Sequence, residues 1–260
     1  MHCMTFDIET IPDIESGRQL FGLDGLSDDD VYEAMSFRQL QKTGSDFLPL
    51  HLQKIVAISV ALRTGDDFRV WTLGDESSSE KEIVQRFFDG VDRYVPDLVS
   101  WNGSGFDLPV LHYRALKHGV DAARYWDNGD DNRDFRYNNY LSRFHWRHID
   151  VMDVLAGFQP RGRASLDEIA MMLGLPGKLG MSGDKVWPTY QAGDLKAIRD
   201  YCETDVVNTH LVYLAFERMR GRLDDALLNK EQSIVRSALK KADSAHLNLY
   251  LDAWQEASRG

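Results

Sequence analysis

Hydrophobic residues near the start of the chain occur in short, nearly continuous blocks separated by polar turns. Residues 2–9, 54–63 and 68–73 are such blocks, and their β-branched and aromatic side chains predict three strands. The polar turn at residues 64–67 is expected to join the last two as a hairpin. A further short strand is predicted at residues 97–101.

The rest of the chain has helical patterns. Apolar periodicity and helix-end signals predict helices at residues 27–42, 80–94, 109–118, 194–220 and 229–259. Ser165 and Glu168 have the spacing of a capping box, which predicts a helix from Leu166. Residues 149–155 fit either a strand or a helix start. Because strands and helices alternate, we predict an α/β fold with a central mixed five-stranded sheet flanked by helices.

Composition shows no break that would separate two domains in these 260 residues. We predict one domain over residues 1–220, with inserted segments 14–50 and 127–148, and a helical C-terminal extension over 221–260 that packs on it. No apolar run approaches the roughly 20 residues that span a bilayer, and the start lacks a secretion signal. A cytoplasmic protein is therefore expected, with Cys3 and Cys202 reduced and structural.

The net charge of −11 argues against tight, non-specific binding to duplex DNA, because proteins that neutralise many phosphates are usually basic. Nucleic acid is still possible as a substrate. A few clustered carboxylates that hold metal ions can present a positive site on an acidic protein.

The stretch FDIET, residues 6–10, places two acids in the first predicted strand. Side chains alternate along a strand, so Asp7 and Glu9 lie on one face and Phe6 and Ile8 on the other. Neighbouring carboxylates repel unless a cation lies between them. The pattern therefore raises the question of a metal site.

Two later segments supply more acids. Asp107 stands where a predicted turn meets a helix, and taken alone it fits a helix N-cap. Tyr201 and Asp205 are four residues apart in the longest predicted helix and share a face, where a hydrogen-bonded Tyr and a solvated Asp are the ordinary alternative.

Taken in order, FDIET, the stretch from Asn102 to Asp107, and Tyr201 with Asp205 resemble the three motifs of the DEDD superfamily of 3′→5′ exonucleases. More narrowly, the chain resembles stand-alone bacterial relatives of the proofreading domain of family-B DNA polymerases. Tyr201, four residues before the last Asp, indicates the tyrosine subclass. The resemblance implies a ribonuclease H-like fold, two divalent cations (Mg²⁺ or Mn²⁺), and release of nucleoside 5′-monophosphates from single-stranded 3′ ends.

The resemblance also implies residue roles. Asp7 would bridge both metals, Glu9 and Asp205 would complete the site that activates water, and Asp107 would hold the second metal. Tyr201 would orient the attacking water. Contacts with the terminal nucleotides are expected from Thr10, Ile11, Asn102 and Phe106.

Weaker substrate-binding candidates are cationic or aromatic: Arg161, Arg163, Lys178, Lys185, His51, Lys54 and the Arg- and aromatic-rich residues 133–148. For each of these the alternative is a solvated surface residue. DNA is favoured over RNA by the polymerase resemblance, but the residues leave an exoribonuclease open. A non-catalytic nucleic-acid-binding subunit is a further alternative, and a partnership in trans with a polymerase or repair complex is undecided.

Overall fold

A computed structural model describes residues 1–258. Its strands are β1 (His2–Pro12), β2 (Gln53–Thr64), β3 (Asp67–Thr72), β4 (Asp97–Ser100) and β5 (His148–Asp150). Its helices are α1 (Ile14–Phe21), α2 (Asp28–Thr43), α3 (Glu80–Tyr94), α4 (Asp107–His118), α5 (Ala123–Trp126), α6 (Val151–Leu155), α7 (Leu166–Met172), α8 (Val186–Gln191), α9 (Leu195–Met219), α10 (Asp225–Ala242) and α11 (Ala245–Ala257). Short 3₁₀ turns lie at Leu50–Leu52, Arg133–Arg136, Pro160–Gly162 and Gly183–Lys185.

The five strands form one mixed sheet in the order β3-β2-β1-β4-β5. β1 pairs antiparallel with β2, and β2 pairs antiparallel with β3. β4 and β5 join parallel to β1, so the carboxyl ends of β1, β4 and β5 meet at the same edge of the sheet. The predicted α/β architecture with a central mixed five-stranded sheet flanked by helices is confirmed, as expected of a ribonuclease H-like exonuclease fold.

Apolar side chains extend from both faces of the sheet, and each face has its own hydrophobic core. On one face, Phe6 and Ile8 pack with residues of α3 and α4 such as Phe87 and Leu111. On the other face the sheet packs against α9, α10 and α11, whose largest buried side chain is Trp254. Burial on both faces explains why β1 and β2 are so continuously apolar.

The structure refines several predicted boundaries. The antiparallel pairing of β1 with β2 is new relative to the sequence analysis, and residues 149–155 contain both a strand end and a helix, β5 followed by α6. α4 begins two residues earlier than predicted, at Asp107. The predicted tail helix is two helices, α10 and α11, and its last predicted residue, Arg259, lies outside the described residues.

Some of the short helices were not predicted from the sequence. α1, α5 and α8 have eight, four and six residues, too short to establish a clear period. Within residues 1–258, none of the helices combines the length and the apolar character needed to cross a membrane.

His210, on α9, is fully buried under the sheet beside the Phe68 ring, with ring centroids 4.8 Å apart. Its Nδ1 lies 3.0 Å from the Thr5 hydroxyl, and its Nε2 has no hydrogen-bond partner among the described residues. Burial lowers the pKa of His210 to about 3, because the charged ring would lose its hydration.

This burial gives a prediction about acid stability. Between pH 6.5 and about 3 the unfolded chain binds a proton at His210 that the native protein excludes, so this contribution destabilises the fold as the pH falls. A His210→Asn variant lacks this titration. The difference in unfolding free energy between the wild type and the variant should therefore shrink by more than about 2 kcal/mol between pH 7 and pH 4 in urea melts. A difference that is independent of pH would contradict the prediction.

Candidate active site

Asp7 and Glu9 lie on β1, on the sheet face covered by α9. Their neighbours Phe6 and Ile8 belong to the core on the opposite face, as strand alternation requires. Asp7 is half-buried and Glu9 is buried, and Asp7 stands opposite Ser59 of β2. The strand register shifts just after Glu9, so the pair lies at a bulge near the carboxyl end of β1.

Asp107 reaches the same place from the start of α4, after the loop that follows β4. The N-cap position of α4 is Phe106, whose side chain makes no capping hydrogen bond, and Asp107 is the first helical residue. The Ile8 backbone N–H, between the two acids of β1, donates to the Asp107 carboxylate at 3.2 Å. Asp107 is only 3% exposed. Its carboxylate is thus directed to β1, and capping is not what holds it.

The loop before Asp107 is shaped by Asp150, at the carboxyl end of β5. The buried Asp150 carboxylate accepts hydrogen bonds from the backbone N–H groups of Asn102 at 3.0 Å and Ser104 at 2.8 Å. Asn102 adopts a left-handed backbone conformation, with φ of 63°. Sequence reasoning missed Asp150, although an acid directly after a strand was the available signal.

Tyr201 and Asp205 complete the cluster from α9. Both are buried, with 7% and 8% of their surface exposed, and they lie one helical turn apart. The Tyr201 hydroxyl interacts with the Asp205 carboxylate, which opposes the rise in the pKa of Asp205. Burial raises the pKa of Tyr201 well above its usual value, and the charges of Asp205 and Glu9 raise it further.

Burial raises the pKa of all four carboxyl groups, and Asp7 and Glu9 also feel the charges of the others. Burial raises the pKa of Asp7, and the charges of Asp107, Glu9 and Asp205 raise it further. The pKa of Glu9 is raised by burial and then by Asp205 and Asp107. Burial raises the pKa of Asp107 to about 7 and that of Asp205 to about 6. The ionised forms are therefore unfavourable together unless positive charge is added.

Lys178 is a cationic residue whose charge acts on this cluster. Its charge lowers the pKa of both Glu9 and Asp205, while its side chain is exposed to solvent. It precedes α8 in a glycine-containing loop. Of the weaker sequence candidates, Lys178 is the one that the structure brings to the carboxylates.

Cys202 also adjoins the cluster. Its Sγ lies within 4.8 Å of carboxylate oxygens of Asp7 and Glu9, and the thiol donates to the Asp7 carbonyl at 3.5 Å. Burial raises the pKa of Cys202, so the sulfur stays a neutral thiol that donates to Asp7. Both cysteines are free and buried, as predicted.

The donor set suits a hard divalent cation. Asp7, Glu9, Asp107 and Asp205 offer only oxygen atoms, which Mg²⁺, Mn²⁺ and Ca²⁺ prefer. A cation among them would relieve the mutual repulsion that raises their pKa values. The residues present therefore fit a divalent metal site.

Comparison with known proteins assigns the chain to a family. A family model described as a predicted 3′-5′ exonuclease related to the exonuclease domain of PolB matches residues 45–254. The chain belongs to this exonuclease family. The matched residues include Asp107, Tyr201 and Asp205, whereas Asp7 and Glu9 precede them.

Two relatives are DNA polymerases. The chain is 26% identical over 140 residues to the catalytic subunit of DNA polymerase epsilon from Dictyostelium discoideum, and the match covers 53% of this chain and 6% of that protein. It is 49% identical over 39 residues to DNA polymerase 1 of Sulfurisphaera ohwakuensis, and that match covers 15% of this chain and 4% of the polymerase. The chain thus spans a small part of the length of either relative.

The residues that were predicted to contact the terminal nucleotides differ in how buried they are and in what they contact. The Thr10 hydroxyl donates to the Gln53 side chain at 3.0 Å. Ile11 is 3% exposed and packs in a small core with residues of α8 and α9. Phe106 is half-buried, and its ring lies 5.9 Å from that of Phe47, an exposed aromatic residue that sequence reasoning did not single out.

The remaining cationic candidates are more scattered. Arg163 forms an ion pair with the buried Asp153 at 2.8 Å, while Arg161 and Lys185 are exposed on 3₁₀ turns. His51 contacts the Tyr113 ring, and Lys54 is half-buried at the start of β2.

The segment 133–148 divides into two parts. Phe135 and Tyr140 are buried in the core, with the Arg147 guanidinium over the Phe135 ring, so these aromatic rings are not available to stack on bases. Tyr137 and Phe144 are exposed, by 82% and 74%.

Proposed function

We propose that this chain is a metal-dependent 3′→5′ exonuclease of the tyrosine subclass, similar to stand-alone bacterial members of the group. It would hydrolyse phosphodiester bonds at the 3′ ends of single-stranded nucleic acid, with DNA favoured, and release nucleoside 5′-monophosphates. One observation carries the proposal. Asp7, Glu9, Asp107 and Asp205 come from three separate elements to one place, where the charges of Asp107 and Asp205 raise the pKa of both Asp7 and Glu9.

Asp7, Glu9, Asp107 and Asp205 would hold two divalent cations, Mg²⁺ or Mn²⁺, and Asp7 is the candidate that contacts both. Such cations, when bound, offset the charge of the scissile phosphate and lower the pKa of water. The protein fixes the four carboxylates on rigid elements, so little rearrangement is needed when substrate arrives. Thr10, Ile11, Asn102 and Phe106 are proposed to contact the terminal nucleotides, Ile11 through its backbone because its side chain is buried.

Tyr201 is proposed to orient the attacking water. Its raised pKa keeps the phenol protonated at neutral pH, so it can hydrogen-bond to water but is a poor general base. Tyr201→Phe should lower kcat by about 10²-fold with KM nearly unchanged, measured by steady-state cleavage of an oligonucleotide. Tyr213→Phe, which removes a buried hydroxyl from the same helix, is the matched control. An increase in KM with kcat unchanged would indicate a binding role for Tyr201 instead.

The choice of DNA is supported by the polymerase names of both relatives. An exoribonuclease is the alternative, because discrimination of the 2′-OH depends on local contacts. We further propose that residues 1–220 are the catalytic domain with inserts at 14–50 and 127–148, that residues from 221 onward are an extension packed on it, and that the protein acts in the cytoplasm. The α10 and α11 side chains in the core beneath the sheet support the packing of that extension.

The test uses single-stranded DNA and RNA of the same sequence, labelled at the 5′ end, with Mg²⁺, Mn²⁺ or EDTA. A ladder that shortens from the 3′ end in the presence of metal, and disappears with EDTA, is expected. Comparison of initial rates identifies the preferred sugar. Binding of both substrates without cleavage under any metal would overturn the proposal in favour of a non-catalytic binding subunit.

A further inference from the structure

The C-terminal helix α11 contacts the rear of the α9 segment that carries Tyr201 and Asp205. His246 Nε2 lies 2.8 Å from the Glu203 carboxylate. One turn further along α11, the Tyr250 hydroxyl donates to Asn208 Oδ1 at 2.6 Å. The two contacts lie on either side of Asp205 along α9, so α11 holds this segment at two points.

The second contact continues toward the carboxylates. Asn208 Nδ2 donates to the Gly177 carbonyl at 2.9 Å. Tyr250 and Asn208 are 0% and 1% exposed, which excludes bulk water from competing for these hydrogen bonds. A buried chain of two hydrogen bonds therefore connects α11 to the loop before α8.

The loop is fixed at one peptide group. Asn208 binds the carbonyl of the Gly177–Lys178 peptide, and the N–H of the same peptide donates to Asp167 Oδ1 at 2.7 Å. Gly177 has a φ of +66°, and a Cβ there would lie 2.5 Å from Asp167 Oδ1. Both ends of this peptide plane are thus held by side chains, and the position requires glycine.

Lys178 itself supplies the N–H of this peptide, and the charge of its exposed side chain acts on Glu9 and Asp205. A long, flexible Lys side chain remains near a target only if its backbone is fixed, since free rotation would spread the ammonium over a large volume. Fixing the Gly177–Lys178 peptide therefore limits the volume that this positive charge can reach.

We infer that Tyr250 and Asn208 are positioning residues of the exonuclease site, which hold the Gly177–Lys178 peptide so that the Lys178 ammonium meets the phosphate of an incoming nucleic acid. The inference rests on the proposed function. It assigns the C-terminal helix a role in substrate binding although α11 carries none of the four carboxylates.

The activity test is a double-mutant cycle. Tyr250→Phe removes only the hydroxyl and should lower kcat/KM by about 10-fold, mainly through KM. Lys178→Ala should lower kcat/KM by at least as much and reduce the slope of log KM against log salt concentration by about 1. In the Lys178→Ala background, Tyr250→Phe should cost less than about 2-fold, because it acts through Lys178. Fully additive losses would overturn the inference.

Tyr140→Phe is the matched control. Tyr140 is 2% exposed, and its hydroxyl donates to the Pro96 carbonyl at 2.7 Å, so this variant loses an equally buried hydrogen bond elsewhere in the fold. It should keep wild-type kcat/KM. An equal loss in Tyr140→Phe would attribute the effect of Tyr250→Phe to general destabilisation and overturn the inference.

A second readout does not require activity. Hydrogen exchange of the peptide covering residues 174–182 should be about 10-fold faster in Tyr250→Phe than in the wild type, and unchanged in Tyr140→Phe. Unchanged protection in Tyr250→Phe would overturn the inference. If the wild type cleaves no substrate, the proposed function fails, and the exchange experiment still decides whether the hydrogen-bond chain holds the loop.

Discussion

Replacing Asp7 by alanine should abolish exonuclease activity, by about 10³-fold or more, while the metal-free protein stays as stable as the wild type or becomes more stable. The charges of all three other carboxylates act on Asp7, so its loss would remove the proposed shared metal ligand. The same loss relieves charge repulsion on the order of 1 kcal/mol in the absence of metal. The measurements are cleavage of labelled single-stranded DNA with Mg²⁺ and urea unfolding in EDTA.

Two variants make this result specific. Asp7→Asn keeps the shape of the side chain and removes its charge, so it should be as inactive as Asp7→Ala without leaving a cavity. Asp24→Ala removes an exposed acid and should change neither property. A large stability loss in metal-free Asp7→Ala, with activity retained, would mean that Asp7 serves the fold and is not a metal ligand.

Replacing Arg114 by alanine should destabilise the protein by about 3–5 kcal/mol. Its guanidinium, on α4, donates to the Asp13 carboxylate at 2.5 Å and to both oxygens of Glu80, at 2.6 and 2.5 Å. All three side chains are nearly inaccessible to solvent. The variant would remove the Arg114 hydrogen bonds from both buried carboxylates and leave Asp13 with Lys117 and Ser16 and Glu80 with His118, and urea unfolding at pH 7 measures the cost.

The Arg114 ion pairs also connect two of the elements that carry the candidate site. Asp13 directly follows β1, which carries Asp7 and Glu9, whereas Arg114 belongs to the helix that begins at Asp107. The pairs therefore fix two carboxylate-bearing elements against each other. Arg114→Lys should destabilise the protein less than Arg114→Ala does but still leave it less stable than the wild type, because lysine cannot bind Glu80 through two nitrogens.

Arg86→Ala is the control for this prediction. Arg86 pairs with Glu82 one turn away on α3, and both side chains are about half exposed, so the loss should stay below about 0.5 kcal/mol. Equal effects of Arg86→Ala and Arg114→Ala would show that the buried ion pairs contribute no more to stability than a surface pair.

Local patterns predicted much of the candidate site. Strand alternation placed Asp7 and Glu9 on one face, and helical spacing placed Tyr201 one turn from Asp205, as observed. These relations depend only on backbone geometry over a few residues, so the sequence is sufficient for them. The long α9 and the alternation of strands and helices were accessible for the same reason.

Local patterns were less informative where an element is short or a residue has two possible roles. Asp107 alone fits a helix cap, and its hydrogen bond from Ile8 joins residues 99 positions apart. Cys202 belongs to the apolar face of α9, and this position predicts a core residue. Its thiol, however, also contacts Asp7. The roles of Asp7 and Tyr201 remain predictions, which Asp7→Ala and Tyr201→Phe test.

The sequence by itself determined which candidate residues share an element and a face, because the period of a strand or helix fixes the side-chain direction. Only the tertiary structure decided which elements converge. The contacts of Asp150 with Asn102, of Asn208 with Gly177 and of Tyr250 with Asn208 each join separate segments of the chain. No local period encodes such contacts, since they arise from the packing of whole elements across the sheet.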